Sequence, residues 1–547
     1  MANKKIDNTG DESSSDPLLS RRDLVLTSAA LAAAPSAMRS AIASGHKKSS
    51  GSGTQPPFDT LRDYVDALDQ LGLLAHFDGV NQDKYEATAI MYQLIDEFGL
   101  REAPAVMFEN LTVNGRKYPG PVISNPQGNV NAEALLLGVD PDARDINVTY
   151  ENSTRKMLNV LKENDGQWPE IPTREISSEQ ALCKQVVLTG DDVDATAFPF
   201  MRGNPGDGGP YINTASVVTT DPKHGVNYGI YRCQLKGPRK IMINFEGGQT
   251  GIKAIRAAKE RKETTVPVCL VIGQDPMTWM ISASRVPSRI GNNDPIDELA
   301  VAGGFRGQAI DVVRSENGKF LVPANAEMVI EGTVDLYNLE PEGPYHEMYG
   351  YLGHPKDNFV FTADTLTHRK DPWIMNSFTG VVKEYIDAPQ RADSLYRLQQ
   401  SHPQVVDYAS PNDTQGIIYI SIKKDAPGQA FEVSRPLAMF NPLARVVVVV
   451  DDDVDVLNSA DVRFAVATRW QPGIATEIIK NRRSFPLDPA SPDRKTTSKI
   501  IIDATRQWPE EGGPKVYQRL NRDVFEEAYP DAIAQVTAKW PNLLVKN

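Results

Sequence analysis

Cysteine is scarce: Cys183, Cys233 and Cys269 are the only three among 547 residues. Their number is odd and their spacing fits no metal or redox motif, so they read as free, mostly buried thiols. Histidine is also sparse, at seven residues, and His354, His368 and His402 carry no metal-ligand spacing. No stretch beyond residue 43 is apolar for the roughly eighteen residues that a bilayer span needs. No Gly-x-Gly-x-x-Gly follows a predicted strand and no phosphate-loop motif occurs, so neither nucleotide cradle is expected; Gly206–Gly209 (GDGG) reads as a turn. Positive charge is in deficit, 58 basic against 71 acidic residues for a net −13, which disfavours nucleic acid or an anionic membrane as a partner held by bulk charge. What remains is an ordinary globular composition, 40% hydrophobic and 24% charged, in a chain long enough for two or three domains.

Apolar residues at Leu61, Tyr64, Val65, Leu68, Leu71 and Leu74 predict a helix over 58–77, and a second spans about 82–98. Strands at Ala105–Phe108 and Gly120–Ser124 and a helix at Asn131–Leu137 complete an α/β N-terminal domain over 58–180. From 181 to 375 short β-branched runs dominate, including Val217–Thr219, Ile230–Leu235, Ile241–Asn244, Val266–Ile272 and Met328–Val334. One long helix, Ile252–Arg261, interrupts them, so a barrel-like β domain is expected. Over 376–547 strands alternate with helices: Gly416–Lys423, Arg445–Val450, Ser459–Thr468 and a long terminal helix near Val516–Tyr529. The apolar run Val446–Val450 suits a parallel strand covered on both faces. The acids Asp451, Asp452, Asp453 and Asp455 that end it read as helix caps at the strand's carboxyl end; a metal-hydrolase site there is the competing reading. The fold class is thus multi-domain α/β with a β-barrel centre.

The chemistry concentrates in Glu342-Gly343-Pro344-Tyr345-His346-Glu347 and Asn227-Tyr228-Gly229-Ile230-Tyr231-Arg232. Gly-Pro breaks any helix between Glu342 and Glu347, so the two carboxylates sit on a turn or strand end and can converge on one ligand. A cation such as Arg232 would keep one ionised while the other, with a raised pKa, serves as acid.

Several blocks occur in order: NYGIYR at Asn227–Arg232, Val322-Pro323-Ala324 with EMVIEG at Glu327–Gly332, EGPYHE at Glu342–Glu347 followed by Gly350, and Val448–Asp453. On these, from about residue 58 to the C-terminus, the chain resembles the UbiD-type decarboxylases, the 3-octaprenyl-4-hydroxybenzoate carboxy-lyase and ferulate decarboxylase family. The resemblance implies a central split-barrel domain binding prenylated FMN, a C-terminal α/β domain forming dimers or higher homo-oligomers, and a flavin prenyltransferase as cofactor supplier. It implies non-oxidative decarboxylation, or its reverse, of a small aromatic or acrylic (α,β-unsaturated) acid. Arg232 would clamp the carboxylate, Glu347 would return the proton and Glu342 would complete the network. Asn227 to Arg232, Gly248, Gln249, Glu298 and Lys423 would border the flavin. The cofactor phosphate would be held through Mn²⁺ (or Mg²⁺) and K⁺ by Asn227, Glu298 and a third ligand; the family's histidine falls here on Gln249, whose carbonyl is tolerable to a hard cation but weaker than imidazole. His224 is a second candidate. The alternative is a UbiD-like flavin- or ligand-binding protein that has lost catalysis.

The first residues resemble a twin-arginine export signal: Arg21-Arg22, a mildly hydrophobic run to Met38, and Ala41-Ile42-Ala43 as a small-residue cleavage site, followed by a Ser/Gly/Pro linker over 44–57. The expectation is a periplasmic protein exported folded with its flavin; the acidic stretch before Arg21 favours the cytoplasmic alternative.

Overall fold

The computed structural model describes residues 55–142, 145–245, 249–284, 296–384, 386–411 and 415–541. The leader, most of the linker and Gly248 lie outside the described residues. Thr60 opens α1 (Leu61–Gln70), its hydroxyl accepting from the Asp63 N–H at 3.0 Å, and Leu61, Tyr64, Val65 and Leu68 turn inward. The helix expected to reach Phe77 stops at Gln70. Gly72 adopts a left-handed φ of 71° just beyond the cap, and Leu74–Asp78 extends as β1. α2 (Glu86–Phe98), β2 (Ala105–Glu109), β3 (Val122–Ser124) and α3 (Val130–Leu136) follow the expected alternation, and α4 (Ile146–Glu163) is additional to it.

The centre of the chain is a nine-stranded antiparallel sheet. Its strands are β4 (Val186–Thr189), β5 (Tyr211–Ile212), β6 (Ser216–Asp221), β7 (Gly225–Ile230), β8 (Cys233–Leu235), β9 (Lys240–Ile243), β10 (Thr265–Ile272), β11 (Met328–Glu342) and β12 (Lys356–His368). The order is β7-β6-β10-β11-β12-β9-β8-β5, with β4 also on β12. The run expected as one strand over Ile230–Leu235 is two: β7 ends at Ile230 on one edge, and β8 begins at Cys233 near the opposite edge. Three residue steps reach at most about 11 Å. The sheet must therefore curl until its edges nearly meet, giving a split barrel, and Tyr231-Arg232 bridge the seam. Besides Gly251–Glu260, two further α-helices punctuate this region among the described residues, Pro276–Ala283 and Glu298–Arg306. The first is buried almost all round, so it shows no amphipathic period to read.

A short strand, β13 (Ile374–Met375), returns to the N-terminal sheet, whose order is β1-β2-β3-β13. The C-terminal sheet runs β14 (Val405–Ala409), β15 (Ile417–Ile422), β16 (Val446–Asp451), β18 (Thr496–Ala504) and β17 (Thr476–Arg483), with β15, β16 and β18 parallel. Val447 and Val449 pack with the Gln429–Phe440 helix while Val448 and Val450 pack with Ser459–Arg469, so β16 is covered on both faces as its composition requires. The terminal helix expected near Val516–Tyr529 is shorter, Asn521–Ala528, and a second of eight residues, Ala532–Lys539, follows Pro530, which cannot continue the first. Among the described residues no helix is long and apolar enough to cross a membrane.

Candidate active site

Arg232, at the seam, and Glu342, at the end of β11, meet as a bidentate pair: Nε donates to Oε1 at 3.0 Å and the second terminal nitrogen to Oε2 at 2.7 Å. Glu342 is fully buried and accepts two more hydrogen bonds, from the Tyr211 hydroxyl at 2.8 Å and Asn358 Nδ2 at 2.9 Å. The remaining guanidinium nitrogen donates to Glu347 Oε1. Burial alone would lower the Arg232 pKa; the hydrogen bonds to Glu342 and the charges of both glutamates outweigh it and hold the cation above its ordinary value. The Tyr345 ring lies beneath the guanidinium, 5.3 Å from ring centroid to Cζ, and the Tyr211 ring packs on Tyr345 at 4.3 Å. The structure thus joins the three residues the sequence proposed as catalytic. Tyr211 and Asn358 complete the network without any motif that could have announced them.

The loop carrying the glutamates is pinned by the 203–208 turn. Gly343 sits at φ 93°, which few side chains tolerate, and its N–H donates to Gln234 Oε1 at 3.1 Å. Gly208 donates to the Pro344 carbonyl at 2.8 Å, and a Cβ on Gly208 would lie 2.2 Å from the Gly343 oxygen. GDGG is therefore a turn, as expected, and its glycines allow the two loops to touch. His346 points away from Arg232 and places Nδ1 2.8 Å from both Asp207 oxygens.

Beside this network lies a cavity of about 400 Å³. Ile230 and Met348, neighbours of the Arg232 and Glu347 segments, belong to its wall, with Gln249, Trp279, Thr379 and Glu384 among the other residues lining it. Trp279 is buried and donates to the Thr214 carbonyl at 3.0 Å, so it is both core and wall. The Glu384 carboxyl hydrogen-bonds Ser377 and the Phe378 N–H, and burial pushes it up to about 7.

Asn227 and the segment after Gln249 meet at Tyr231. Its hydroxyl accepts from Asn227 Nδ2 at 3.2 Å and from the Gly251 N–H at 3.0 Å, and Gly251 follows Gln249 by two residues. Cβ atoms on Gly229 and Gly251 would fall 2.5 and 2.9 Å from the Tyr231 side chain, so both glycines permit the close approach. Glu298 sits in the first turn of a helix capped by Asp297; burial and then the Asp297 charge push its carboxyl up to about 8. Its Oε2 is buried without a hydrogen-bond partner among the described residues. An unsatisfied buried carboxyl oxygen fits a hard divalent cation. His224 follows the Asp221 turn, where its N–H donates to Asp221 Oδ1 at 3.1 Å.

Lys423 is exposed just beyond the carboxyl end of β15, whose other end, Ile417 and Ile418, lines the cavity. One expectation needs correction. Asp451 and Asp453 do not cap the next helix, whose N-cap is Asn458; Arg469 pairs with both at 2.6 and 2.7 Å, and Arg506 with Asp453 at 2.5 Å. Guanidinium groups fill the place a metal would need.

Comparison with known proteins agrees with this architecture. The chain matches the 3-octaprenyl-4-hydroxybenzoate carboxy-lyase N-terminal domain over residues 65–148, the Rift-related domain over 174–382 and the C-terminal domain over 384–504. Vanillic acid decarboxylase of Sedimentibacter hydroxybenzoicus in closed form superposes with a TM-score of 0.73 at 26% identity, covering 87% of this chain and 99% of that one. The UbiD-class enzyme HmfF from Pelotomaculum thermopropionicum, in complex with FMN, gives 0.67 at 25% identity over 86% and 100%. An evolved dimeric form of HmfF, in complex with prFMN, gives 0.67 at 24% over 85% and 97%. The chain belongs to the UbiD family and is an enzyme of the carboxy-lyase class.

Proposed function

We propose that this protein is a prenylated-FMN-dependent enzyme that removes carbon dioxide from, or adds it to, an aromatic or α,β-unsaturated carboxylic acid. The observation that carries the reading is Arg232, fixed bidentately by one buried glutamate and shared with a second beside a cavity of small-molecule size. Removing carboxylate from an sp² carbon leaves a poor carbanion, and no side chain can absorb that electron pair. The flavin supplies the electron sink when bound; Asn227, Gln249 and Glu298 would hold its phosphate through a divalent cation. The aromatic-acid decarboxylase among the similar structures supports the substrate class.

The chain's own residues do the rest. Glu342 keeps two guanidinium nitrogens, so the third nitrogen of Arg232 is the one able to exchange partners. When Glu347 takes up a proton it releases that nitrogen to the substrate carboxylate, a charge-assisted contact of the same kind. After the carbon–carboxylate bond breaks and carbon dioxide leaves, Glu347 gives its proton to the carbon that lost it and returns to Arg232 as a carboxylate.

Co-expression with a flavin prenyltransferase should yield protein with modified-flavin absorbance that releases carbon dioxide from one of a panel of aryl and cinnamic acids. Folded protein without bound flavin would overturn the reading. Bound flavin with no release from any acid would favour a ligand-binding member that lost catalysis, the reading that Gln249 at the metal position supports. Export by the twin-arginine-like leader and assembly into homo-oligomers belong to the same proposal. Fractionation of wild type against an Arg21→Lys, Arg22→Lys variant tests the first, and light scattering tests the second.

A further inference from the structure

Asp207 is completely buried, yet its carboxylate is satisfied almost wholly by one residue of the glutamate loop. It accepts the His346 N–H at 2.9 Å and His346 Nδ1 at 2.8 Å from each oxygen, with the Asn204 N–H completing the set at 2.9 Å. A carboxylate only accepts, so Nδ1 carries the hydrogen. His346 Nε2 is buried without a partner among the described residues and faces Gly203, where a Cβ would stand 3.1 Å away. The ring therefore has a single polar anchor. Its flat face rests on the Tyr345 ring at 4.5 Å, and that ring supports Arg232.

Tyr345 and Glu347 both reach Arg232, while His346 between them reaches Asp207. The backbone is held at both flanks, Glu347 N–H on the Tyr351 carbonyl at 2.9 Å and Gly353 N–H on the Tyr345 carbonyl at 2.7 Å. These bonds and the bridge between His346 and Leu352 hold the backbone, and the His346 ring ties the side chain between Tyr345 and Glu347 to Asp207. From this geometry we infer that Asp207 and His346 form a positioning pair that sets the direction of the Glu347 carboxyl, and so the accuracy of proton delivery, resting on the decarboxylase reading above.

The test compares His346→Ala with His346→Asn, whose side-chain N–H can take the same Asp207 oxygen. In flavin-loaded enzyme His346→Ala should lower kcat between about tenfold and a hundredfold, the cost of a displacement near 1 Å in a catalytic group, with KM within roughly threefold. His346→Asn should recover most of that loss. Independently of any turnover, hydrogen–deuterium exchange at the Glu347 and Gly353 amides should quicken in His346→Ala and return to wild-type rates in His346→Asn. Unchanged exchange, or a kcat loss that asparagine does not recover, overturns the inference. If His346→Ala does not fold, Gly203→Ala replaces it: its Cβ would come 2.8 Å from the ring Cε1 and should produce the same kcat loss and faster exchange, and wild-type behaviour there would equally overturn it. Wild-type enzyme releasing no carbon dioxide would sink the decarboxylase reading alone, since the exchange measurement still decides the positioning role.

Discussion

Glu384 offers a stability prediction whose sign depends on pH. The residue sits at a left-handed φ of 70°, lines the cavity, and keeps Oε1 buried without a partner among the described residues. Burial raises its carboxyl from 4.5 to about 7. Below pH 4.5 the folded and unfolded chains both hold the proton, and the group's contribution is intact. Between 4.5 and about 7 the unfolded chain releases its proton first, so each pH unit costs the fold about 1.4 kcal/mol. Above 7 both states are ionised and the loss levels off at about 3 kcal/mol. Glu384→Gln has the shape of the protonated acid and nothing to titrate. At about 2.1 cal/mol/K per residue, a chain of 547 residues unfolds with an entropy near 1 kcal/mol/K, so 3 kcal/mol corresponds to roughly 3 °C. Thermal melts of Glu384→Gln and wild type should coincide near pH 4.5, separate as pH rises, and differ by about 3 °C in favour of the variant at pH 8. A difference that does not change with pH, or one that favours wild type at pH 8, would refute the reasoning.

Glu342→Gln leaves Arg232 with one buried counter-charge and turns one acceptor into a donor facing donors, so it should cost about 3–5 kcal/mol, seen in denaturant or thermal unfolding. Tyr211→Phe removes one hydroxyl donor from the same carboxylate and should cost about 1.5–3 kcal/mol; losses of equal size in the two variants would show that charge compensation is not what holds the network. Burial pushes the Cys183 thiol up to about 12 and holds Cys233 and Cys269 above their ordinary value. Ellman's reagent at pH 8 should therefore find no fast-reacting thiol in the native protein and three per chain after unfolding.

How far the molecule can be read from its sequence depends on how local the determining signal is. β16 announces itself because five consecutive valines admit few alternatives, and the Arg232, Glu342 and Glu347 set announces itself through two compact motifs. The break in Ile230–Leu235 does not show, since nothing in Tyr231-Arg232 opposes a strand; only closure of the sheet requires the seam there. Pro276–Ala283 is hidden by being buried on all sides, and the partners of Asp451 and Asp453 are arginines more than fifteen residues distant. Asp207 reads as one residue of a glycine turn, and its role emerges only when His346 folds onto it.

The account's central claim is that Glu347 delivers the proton while Arg232 and Glu342 hold the carboxylate. Glu347→Gln tests it most directly, because the amide can still reach Arg232 with its carbonyl oxygen but has no acidic proton to give. Prepared with its flavin, Glu347→Gln should keep wild-type flavin content and lose carbon dioxide release by at least about a hundredfold, the share usual for a general acid. Wild-type release from flavin-loaded Glu347→Gln would contradict the claim.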